Sequence, residues 1–205
     1  MPSAVTGYPV VLVNRGEGAV VVGGGEVAVR KVAGLLEANL EVTVISPRLC
    51  PVLEEVAAQG RIAVLRRAYR PGDLAGARLV FACADDPQVN QAVWREAQER
   101  GCLVNVADDP ARCTFHVPAV VRRGAITIAI STGGASPALA AHLRRQIETA
   151  VGPEYGDLAT LLAELRPWVQ ASIPQAARRK RLWPQLIDTF LPLLLQARET
   201  GTLSK

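Results

Sequence analysis

Three consecutive glycines near the start of the chain are the residues whose type and spacing most clearly point to chemistry. The stretch AVVVGGGEVAVRK holds Gly23, Gly24 and Gly25 between a β-branched run and a run with helical periodicity. With Ala28 they fit the pattern G-x-G-x-x-G/A, in which the first glycine permits a tight turn and the second lets the backbone approach a pyrophosphate. The pattern predicts a dinucleotide-binding loop, with a plain structural turn as the alternative.

The residues around the glycines bear on which dinucleotide binds. Glu26 and Val27 begin the predicted helix, whose free N–H groups and partial positive charge suit phosphates. The acid that usually binds the adenosine ribose is missing, because the second strand ends in VISPR, with Ser46 and Arg48. A serine can hydrogen-bond a ribose hydroxyl and an arginine suits a 2′-phosphate, so the residues alone leave NAD and NADP open. The P-loop and short-chain dehydrogenase patterns, Gly-Lys-Ser/Thr and Tyr-x-x-x-Lys, are absent.

Two adjacent carboxylates follow a buried run later in the chain. The run CLVNVA, residues 102–107, predicts a strand, and Asp108 and Asp109 come directly after it. Open parallel sheets bind ligands at the carboxyl ends of their strands, where a carboxylate can act as a base. The alternative is that the pair only shapes the turn before Pro110, and we favour this alternative for Asp109.

A second glycine turn, STGGASP, precedes a predicted helix. Ser136 is a suitable N-cap and Pro137 a suitable first helical residue. Free N–H groups there can take a substrate carboxylate, so we regard Ser131 and Thr132 as candidate substrate contacts, with a purely structural turn as the alternative. His116, in the apolar stretch FHVPAV, is a candidate for proton transfer or a substrate contact, although such a histidine is more often a hydrogen-bonded core residue.

An α/β framework must position these residues. Apolar strand-like runs alternate with helical stretches, which indicates a parallel sheet covered on both faces. Helices are predicted over residues 26–39, after Pro51, and over 87–100, where Asp86 is the N-cap and Gly101 ends the helix. The predicted strands are Val10–Asn14, Ala19–Val22, Glu41–Ile45, Arg61–Leu65, Arg78–Ala84 and Cys102–Ala107.

The pattern changes after residue 110. FHVPAVV and AITIAIS, separated by the turn RRG, predict two antiparallel strands, followed by the capped helix after Ser136. From Gly152 onward only helix is predicted, broken at Pro167, Pro174 and Pro184.

Composition and charge exclude several classes of protein. With 49% apolar and 20% charged residues, the chain is typical of a folded globular protein. A net charge of +4 is too small to indicate nucleic-acid binding by itself. No apolar run approaches the roughly 18 to 20 residues that a membrane span needs, and the N-terminus lacks the basic and apolar regions of a signal peptide.

The cysteines and histidines point to a reducing compartment without a metal site. The cysteines form no C-x-x-C pair, so we expect reduced, mostly buried thiols in a cytoplasmic protein. His116 and His142 lie far apart in sequence, so no metal ligands are predicted. The four cysteines are Cys50, Cys83, Cys102 and Cys113.

Several segments together resemble one family. VVVGGGEVAVRK, FACADDPQVN, VNVADDP and FHVPAVVRRGAITIAISTGGASPALA, followed by a helical tail, resemble precorrin-2 dehydrogenase, the N-terminal module of siroheme synthases. The resemblance is close over about residues 8–150 and looser in the tail. It implies NAD-dependent oxidation of the tetrapyrrole precorrin-2 to sirohydrochlorin by a homodimer. Larger members add a methyltransferase domain, for which we expect no room in 205 residues.

The fold that the resemblance implies is α/β: a Rossmann-type parallel sheet, a small α+β dimerisation region and a helical C-terminal subdomain. We predict these parts as residues 1–113, 114–150 and 151–205, respectively.

The resemblance also implies roles for individual residues. Asp108 falls on the family's catalytic aspartate, and Asp85 and Asn90 match positions near the cofactor. Thr132 takes the place of a hydroxyl residue near the active site, which is a serine in some members. For the segment after the fourth core strand, the alternative is that Asp86 caps the helix and Asn90 lies on its surface.

Basic residues gain meaning from the implied substrate, which is rich in carboxylates. Arg144 is one candidate ligand, since guanidinium groups bind carboxylates as bidentate forks, although such charges are usually a solvated face. The other candidates are Arg122, Arg123, Arg145 and the run at residues 178–181. Two alternative functions stay open: the same site also inserts ferrous iron, or the chain is a non-catalytic nucleotide-sensing module.

Overall fold

The computed structural model describes residues 7–200, which divide into two compact units. Residues 9–117 form the first, called here the sheet unit, and residues 118–200 form the second, called here the helical unit. The predicted boundary at residue 113 therefore lies four residues before this division.

The sheet unit is built on a five-stranded, entirely parallel sheet with the order β3-β2-β1-β4-β5. The chain adds β2 and β3 on one side of β1, and then returns to add β4 and β5 on the other side. This strand order confirms the predicted Rossmann-type fold. Its elements are β1 (Gly18–Val22), α1 (Glu26–Glu37), β2 (Glu41–Ile45), α2 (Pro51–Ala58), β3 (Ala63–Leu65), β4 (Ala77–Ala82), α3 (Pro87–Glu99) and β5 (Leu103–Val106). A short 3₁₀ turn, Pro110–Arg112, follows β5.

The sheet is buried on both faces because its strands are apolar on both. Val21, Val44 and Phe81 lie in a cluster with α1 residues on one face. Val20 and Val104 lie in a second cluster with α3 residues on the other. The apolar runs therefore predicted the five strands of this sheet, since alternation is lost where both faces are covered.

The predicted strand at Val10–Asn14 is wrong. This stretch forms no strand, and its side chains are exposed, Val11 at 83%. The physical reason is topological: β1 already pairs with β2 on one side and β4 on the other, so no edge beside β1 is free for an antiparallel partner. The β-propensity of the residues cannot substitute for a missing neighbour.

The helical unit begins with the predicted antiparallel pair, which the structure confirms. Val121 lies opposite Ile128, and the pair packs against helices of the same unit. The elements are β6 (Ala119–Arg123), β7 (Ile126–Ile130), α4 (Pro137–Ala150), α5 (Glu154–Ser172) and α6 (Ala176–Glu199). No helix among residues 7–200 is both long and apolar enough to cross a membrane.

Two of the three predicted helix breaks are wrong. Pro167 lies inside α5 and Pro184 inside α6, and only Pro174 falls between helices. A proline in a helix removes one hydrogen bond at a cost of about 3 kcal/mol, which packing can offset. Leu158 before Pro167 and Val169 after it are both buried, so packing on both sides keeps α5 continuous.

Candidate active site

Two of the three glycines are required by close packing. Gly23 follows β1 with a φ of +128°, and a Cβ there would lie 2.3 Å from the Cys83 carbonyl oxygen. A Cβ on Gly24 would lie 2.0 Å from the carbonyl oxygen of Arg48. The glycine loop is therefore pressed between the segments that follow β4 and β2, and no side chain fits at either position.

Gly25 has the opposite environment. A Cβ on Gly25 would have no neighbouring atom within 4 Å, because this position faces open space at the start of α1. Gly25 is the N-cap of α1 and provides no side-chain cap, so the first helical N–H groups, at Glu26 and Val27, lie beside that space. Ala28 is fully buried against the sheet, as the small third position requires. This cradle of backbone N–H groups fits a pyrophosphate.

Ser46 shapes the loop beside Gly24. Its side chain is buried, with Oγ donating to the carbonyl oxygen of Arg48 at 2.6 Å and accepting from Arg48 N–H at 3.4 Å. The hydroxyl thus folds the end of β2 around the glycine loop. Its contact with a ribose stays a prediction, while Arg48 is exposed beside it.

The segment after β4 is folded by Asn90. Its side-chain amide accepts a hydrogen bond from Ala84 N–H at 2.9 Å and donates one to the Ala84 carbonyl at 2.8 Å. Asp86 caps α3 by accepting from Gln88 N–H at 2.8 Å, which confirms its predicted cap. Asp85 is exposed between them. Asn90 is thus a half-buried loop-forming residue rather than a surface side chain, and its contact with a cofactor remains untested.

Asp108 and Asp109 have different surroundings. Asp108 is exposed after β5, in a left-handed backbone conformation with φ of 58°. Asp109 is half-buried and accepts a hydrogen bond from the Arg112 guanidinium at 2.9 Å, consistent with a role in the turn. Of these two neighbours, Asp108 is therefore the more exposed and Asp109 is the one paired with an arginine.

The topology brings the predicted residues of the sheet unit to one edge. The glycine loop follows β1, Asp85 follows β4 and Asp108 follows β5, and these three strands are parallel neighbours. The carboxyl edge that holds Gly25 therefore also holds Asp108, which is where open α/β sheets bind their ligands.

Lys31, which no sequence motif indicates, contributes to the electrostatics at the end of β4. Lys31 Nζ lies 5.4 Å from the centre of the Phe81 ring, which contacts Phe115 edge to face. Burial raises the pKa of the Cys83 thiol to about 11, with Lys31 opposing the shift and Asp108 adding to it. No sequence motif indicates these contacts, because they depend on how α1 packs against β4.

The hydroxyl residues before α4 bond within their own turn, and His116 is exposed. His116 is exposed, so the interpretation as a core histidine is wrong. Thr132 Oγ1 accepts from Ser136 N–H at 3.2 Å, and Ser131 Oγ accepts from Gly133 N–H at 3.2 Å. Ser136 caps α4 by accepting from Leu139 N–H, as predicted.

Arg144 is paired within its own helix, and the cysteines are unpaired thiols. Arg144 forms an ion pair with Glu148 one turn along α4, at 2.5 Å. The four cysteines are free thiols, with Cys83 and Cys102 buried, as predicted. Among residues 7–200, no three histidine, cysteine or acidic side chains cluster as metal ligands.

Three family models match the chain in succession. A model described as putative NAD(P)-binding matches residues 10–119. A model described as sirohaem biosynthesis protein central matches residues 123–150, and one described as sirohaem synthase dimerisation region matches 154–202. The dimerisation model thus matches residues within 151–205, which we predicted as the helical C-terminal subdomain. The central model matches residues within 114–150, which we predicted as the dimerisation region.

Similar proteins include siroheme synthases and one solved structure. The siroheme synthase of Methylobacillus flagellatus is 45% identical over 180 residues, covering 88% of this chain and 38% of the relative. That of Methylococcus capsulatus is 42% identical, with the same coverage of 88% and 38%. The chain thus spans little more than a third of these relatives. A solved structure described as SirC, precorrin-2 dehydrogenase, matches with a TM-score of 0.75 and 28% identity, covering 94% of this chain and 99% of that one.

Proposed function

Because the chain belongs to the putative NAD(P)-binding family, we propose that it is an NAD-dependent precorrin-2 dehydrogenase. The matches of its later residues to the central and dimerisation regions of sirohaem biosynthesis proteins support this proposal. The protein oxidises precorrin-2 to sirohydrochlorin on the route to siroheme. The main support is that the open glycine loop and Asp108 share one edge of the sheet. In addition, the match to a precorrin-2 dehydrogenase structure covers 94% of this chain.

The residues of the glycine loop would hold the dinucleotide. Gly25 leaves room for the pyrophosphate, and the N–H groups of Glu26 and Val27 bind it at the start of α1. Ser46 folds the end of β2 and Asn90 folds the segment after β4, and these two segments flank the glycine loop. When bound, NAD⁺ supplies the hydride acceptor.

Asp108 acts as the base. Loss of a hydride leaves the tetrapyrrole as a cation, which must then lose a proton from carbon or nitrogen. The Asp108 carboxylate accepts that proton, because it is exposed at the edge and not tied to a neighbouring cation in the way Asp109 is tied to Arg112. Asp85 lies on the adjacent strand end and lines the cofactor side of the edge.

The substrate carboxylates require cations and hydroxyl groups. Ser131 and Thr132 in the turn before α4, the exposed His116 and the arginine of the Arg144–Glu148 pair contact the tetrapyrrole. Arg144 can exchange Glu148 for a substrate carboxylate, since ion pairs at a half-exposed position contribute little stability.

The protein works as a cytoplasmic homodimer. Free thiols suit a reducing compartment, and the match to a dimerisation region supports assembly with a second copy. Large apolar side chains of that region are exposed in the single chain, including Trp168 at 67% and Leu193 at 56%. A second copy of the chain would cover them.

One assay tests the activity. The purified protein is mixed with precorrin-2 and NAD⁺, and absorbance at the NADH wavelength is followed, with NADP⁺ in a parallel reaction. We expect NADH formation, its near-complete loss in Asp108→Asn, and its retention in the matched variant Asp109→Asn. If neither nicotinamide oxidises precorrin-2, the proposed activity is wrong. A parallel mixture of sirohydrochlorin with ferrous iron tests metal insertion at the same site.

A further inference from the structure

The Cys113 thiol contacts the first and last residues of the turn at residues 106–109, which carries Asp108. Its Sγ accepts from Val106 N–H at 3.3 Å and from the Asn105 side-chain amide at 3.4 Å. The same Sγ lies within donating distance of the Val106 carbonyl, at 3.4 Å, and of the Asp109 carbonyl, at 3.3 Å. One half-buried atom thus bridges the residues immediately before and after the pair Ala107–Asp108.

The turn that carries Asp108 needs such support. It is closed by a single backbone bond, from Asp109 N–H to the Val106 carbonyl, at a long 3.4 Å. Asp108 holds a φ of 58°, a left-handed conformation that costs a residue with a side chain roughly 1 kcal/mol. Conformations of this kind persist only where the surroundings over-determine them.

Neighbouring bonds fix Cys113 itself. Thr114 Oγ1 accepts from Val104 N–H at 2.8 Å, and Thr114 N–H donates to the Val104 carbonyl at 2.9 Å. The Asn105 amide, besides reaching the thiol, donates to the Phe115 carbonyl at 3.1 Å. The segment that carries the thiol therefore lies along β5 in a set register, which holds the Cys113 backbone beside the turn.

The thiol must keep its proton to bridge the turn, since a thiolate cannot donate. Burial raises the pKa of the Cys113 thiol, and the charge of Asp109 raises it further, against a lowering by the Val106 N–H bond. Near neutral pH the group is therefore an S–H that both donates and accepts.

We propose that Cys113 is a positioning residue that holds Asp108 in its left-handed geometry and so aims its carboxylate at the reacting edge of the sheet. This inference rests on the proposed function of Asp108 as the base. Cys113 touches neither substrate nor cofactor in this role; it acts through the backbone of residues 106–109.

Three variants isolate the effect. Cys113→Ala removes the bridge, Cys113→Ser keeps a donor and an acceptor, and Cys102→Ala is the matched control. Cys102 is also a buried thiol that donates to a backbone carbonyl, Ala77 at 3.1 Å, but it lies at the opposite end of β5. All three are compared for kcat and KM with precorrin-2, and for NADH affinity by fluorescence titration.

We expect Cys113→Ala to lower kcat about tenfold, with KM and NADH affinity unchanged within about twofold, because the transition-state base is misplaced while binding is intact. Cys113→Ser should restore most of the rate, and Cys102→Ala should retain it. Equal losses of kcat in Cys113→Ala and Cys102→Ala would overturn the inference, since that result marks a general packing defect.

A double-mutant cycle tests whether the effect passes through Asp108. In the Asp108→Asn background, Cys113→Ala should cause no further loss of kcat, because the group it positions is already gone. Two losses that multiply independently would contradict the proposed route.

A measurement without substrate separates this inference from the proposed activity. Amide hydrogen exchange reports the closure of the turn directly, at the Asp109 N–H. Exchange there should be faster in Cys113→Ala than in wild type or Cys102→Ala, even if the protein fails to oxidise precorrin-2. Unchanged exchange at Asp109 would show that the thiol does not hold the turn.

Discussion

At Asp108, stability and the proposed activity make opposite demands on one residue. The φ of 58° suits glycine better than a residue with a Cβ, whereas the proposed role as a base needs the carboxylate. We expect Asp108→Gly to raise the free energy of unfolding by about 1 kcal/mol while abolishing NADH formation. Urea denaturation checks the first effect and the absorbance assay the second. A destabilised Asp108→Gly protein would show that the left-handed conformation is not strained.

The three glycines differ in what a methyl group would do. In Gly24→Ala the new Cβ would clash with the Arg48 backbone, so we expect a fall in melting temperature together with weaker NADH binding. In Gly25→Ala the Cβ would point into open space, so the melting temperature should stay near the wild-type value while NADH affinity falls at least about tenfold. Fluorescence titration and thermal melts of the two variants measure this contrast. Undiminished NADH affinity in Gly25→Ala would place the dinucleotide elsewhere.

At the scale of elements, a buried carboxylate joins α3 to the loop before β4. Glu96 accepts hydrogen bonds from the Tyr69 hydroxyl, from Gly72 N–H at 2.9 Å and from Leu74 N–H at 3.3 Å. Arg100 Nε donates to the same carboxylate at 2.6 Å. Burial acts to raise the pKa of Glu96, but these hydrogen bonds outweigh it and hold the pKa below its usual value.

This network makes the free energy of unfolding depend on pH. Because the folded-state pKa of Glu96 is lowered, its contribution is fully present above the unfolded value of about 4.3 and is lost as pH falls through the folded value. We expect Glu96→Gln to cost about 2 kcal/mol at pH 7 and progressively less toward pH 3. Denaturant titrations of both proteins across this range test the trend. A stability difference independent of pH would contradict it.

The elements that the sequence predicts best are those whose signal is local. β4 and β5 are continuous apolar runs, and the caps Asp86 and Ser136 depend on residues within three positions. Two of the errors have non-local causes: Val10–Asn14 lacks a free sheet edge, and Pro167 is tolerated because of packing from elsewhere. In the site, motifs predicted the strand ends that carry Gly25 and Asp108. The contacts of Lys31 and Cys113 depend on register between segments, which no motif encodes.

At the scale of the whole molecule, the single chain leaves apolar surface uncovered. Trp168, Ile187, Leu193 and Leu195 are exposed and all lie within the matched dimerisation region. Their exposure is consistent with the proposed homodimer, in which a second copy would cover them.

Charge at this surface should dissociate the dimer. We expect Leu193→Asp to shift the protein from dimer to monomer in sedimentation equilibrium, because an unpaired carboxylate would be buried in the interface. The matched control is Leu139→Asp, since Leu139 is 49% exposed and lies on α4, outside residues 154–202. If both variants sediment as the wild type does, the interface lies on another face.

The register of Thr114 along β5 has a consequence for solubility. β5 is an outer strand of the sheet, and an uncovered outer strand invites edge-to-edge association with other chains. Thr114 occupies both backbone groups of Val104, through its own N–H and its hydroxyl, at the place where a foreign strand would have to pair. The segment that contacts the turn carrying Asp108 therefore also covers the sheet edge against aggregation. We expect damage to this segment to reduce the yield of soluble protein before any rate is measured.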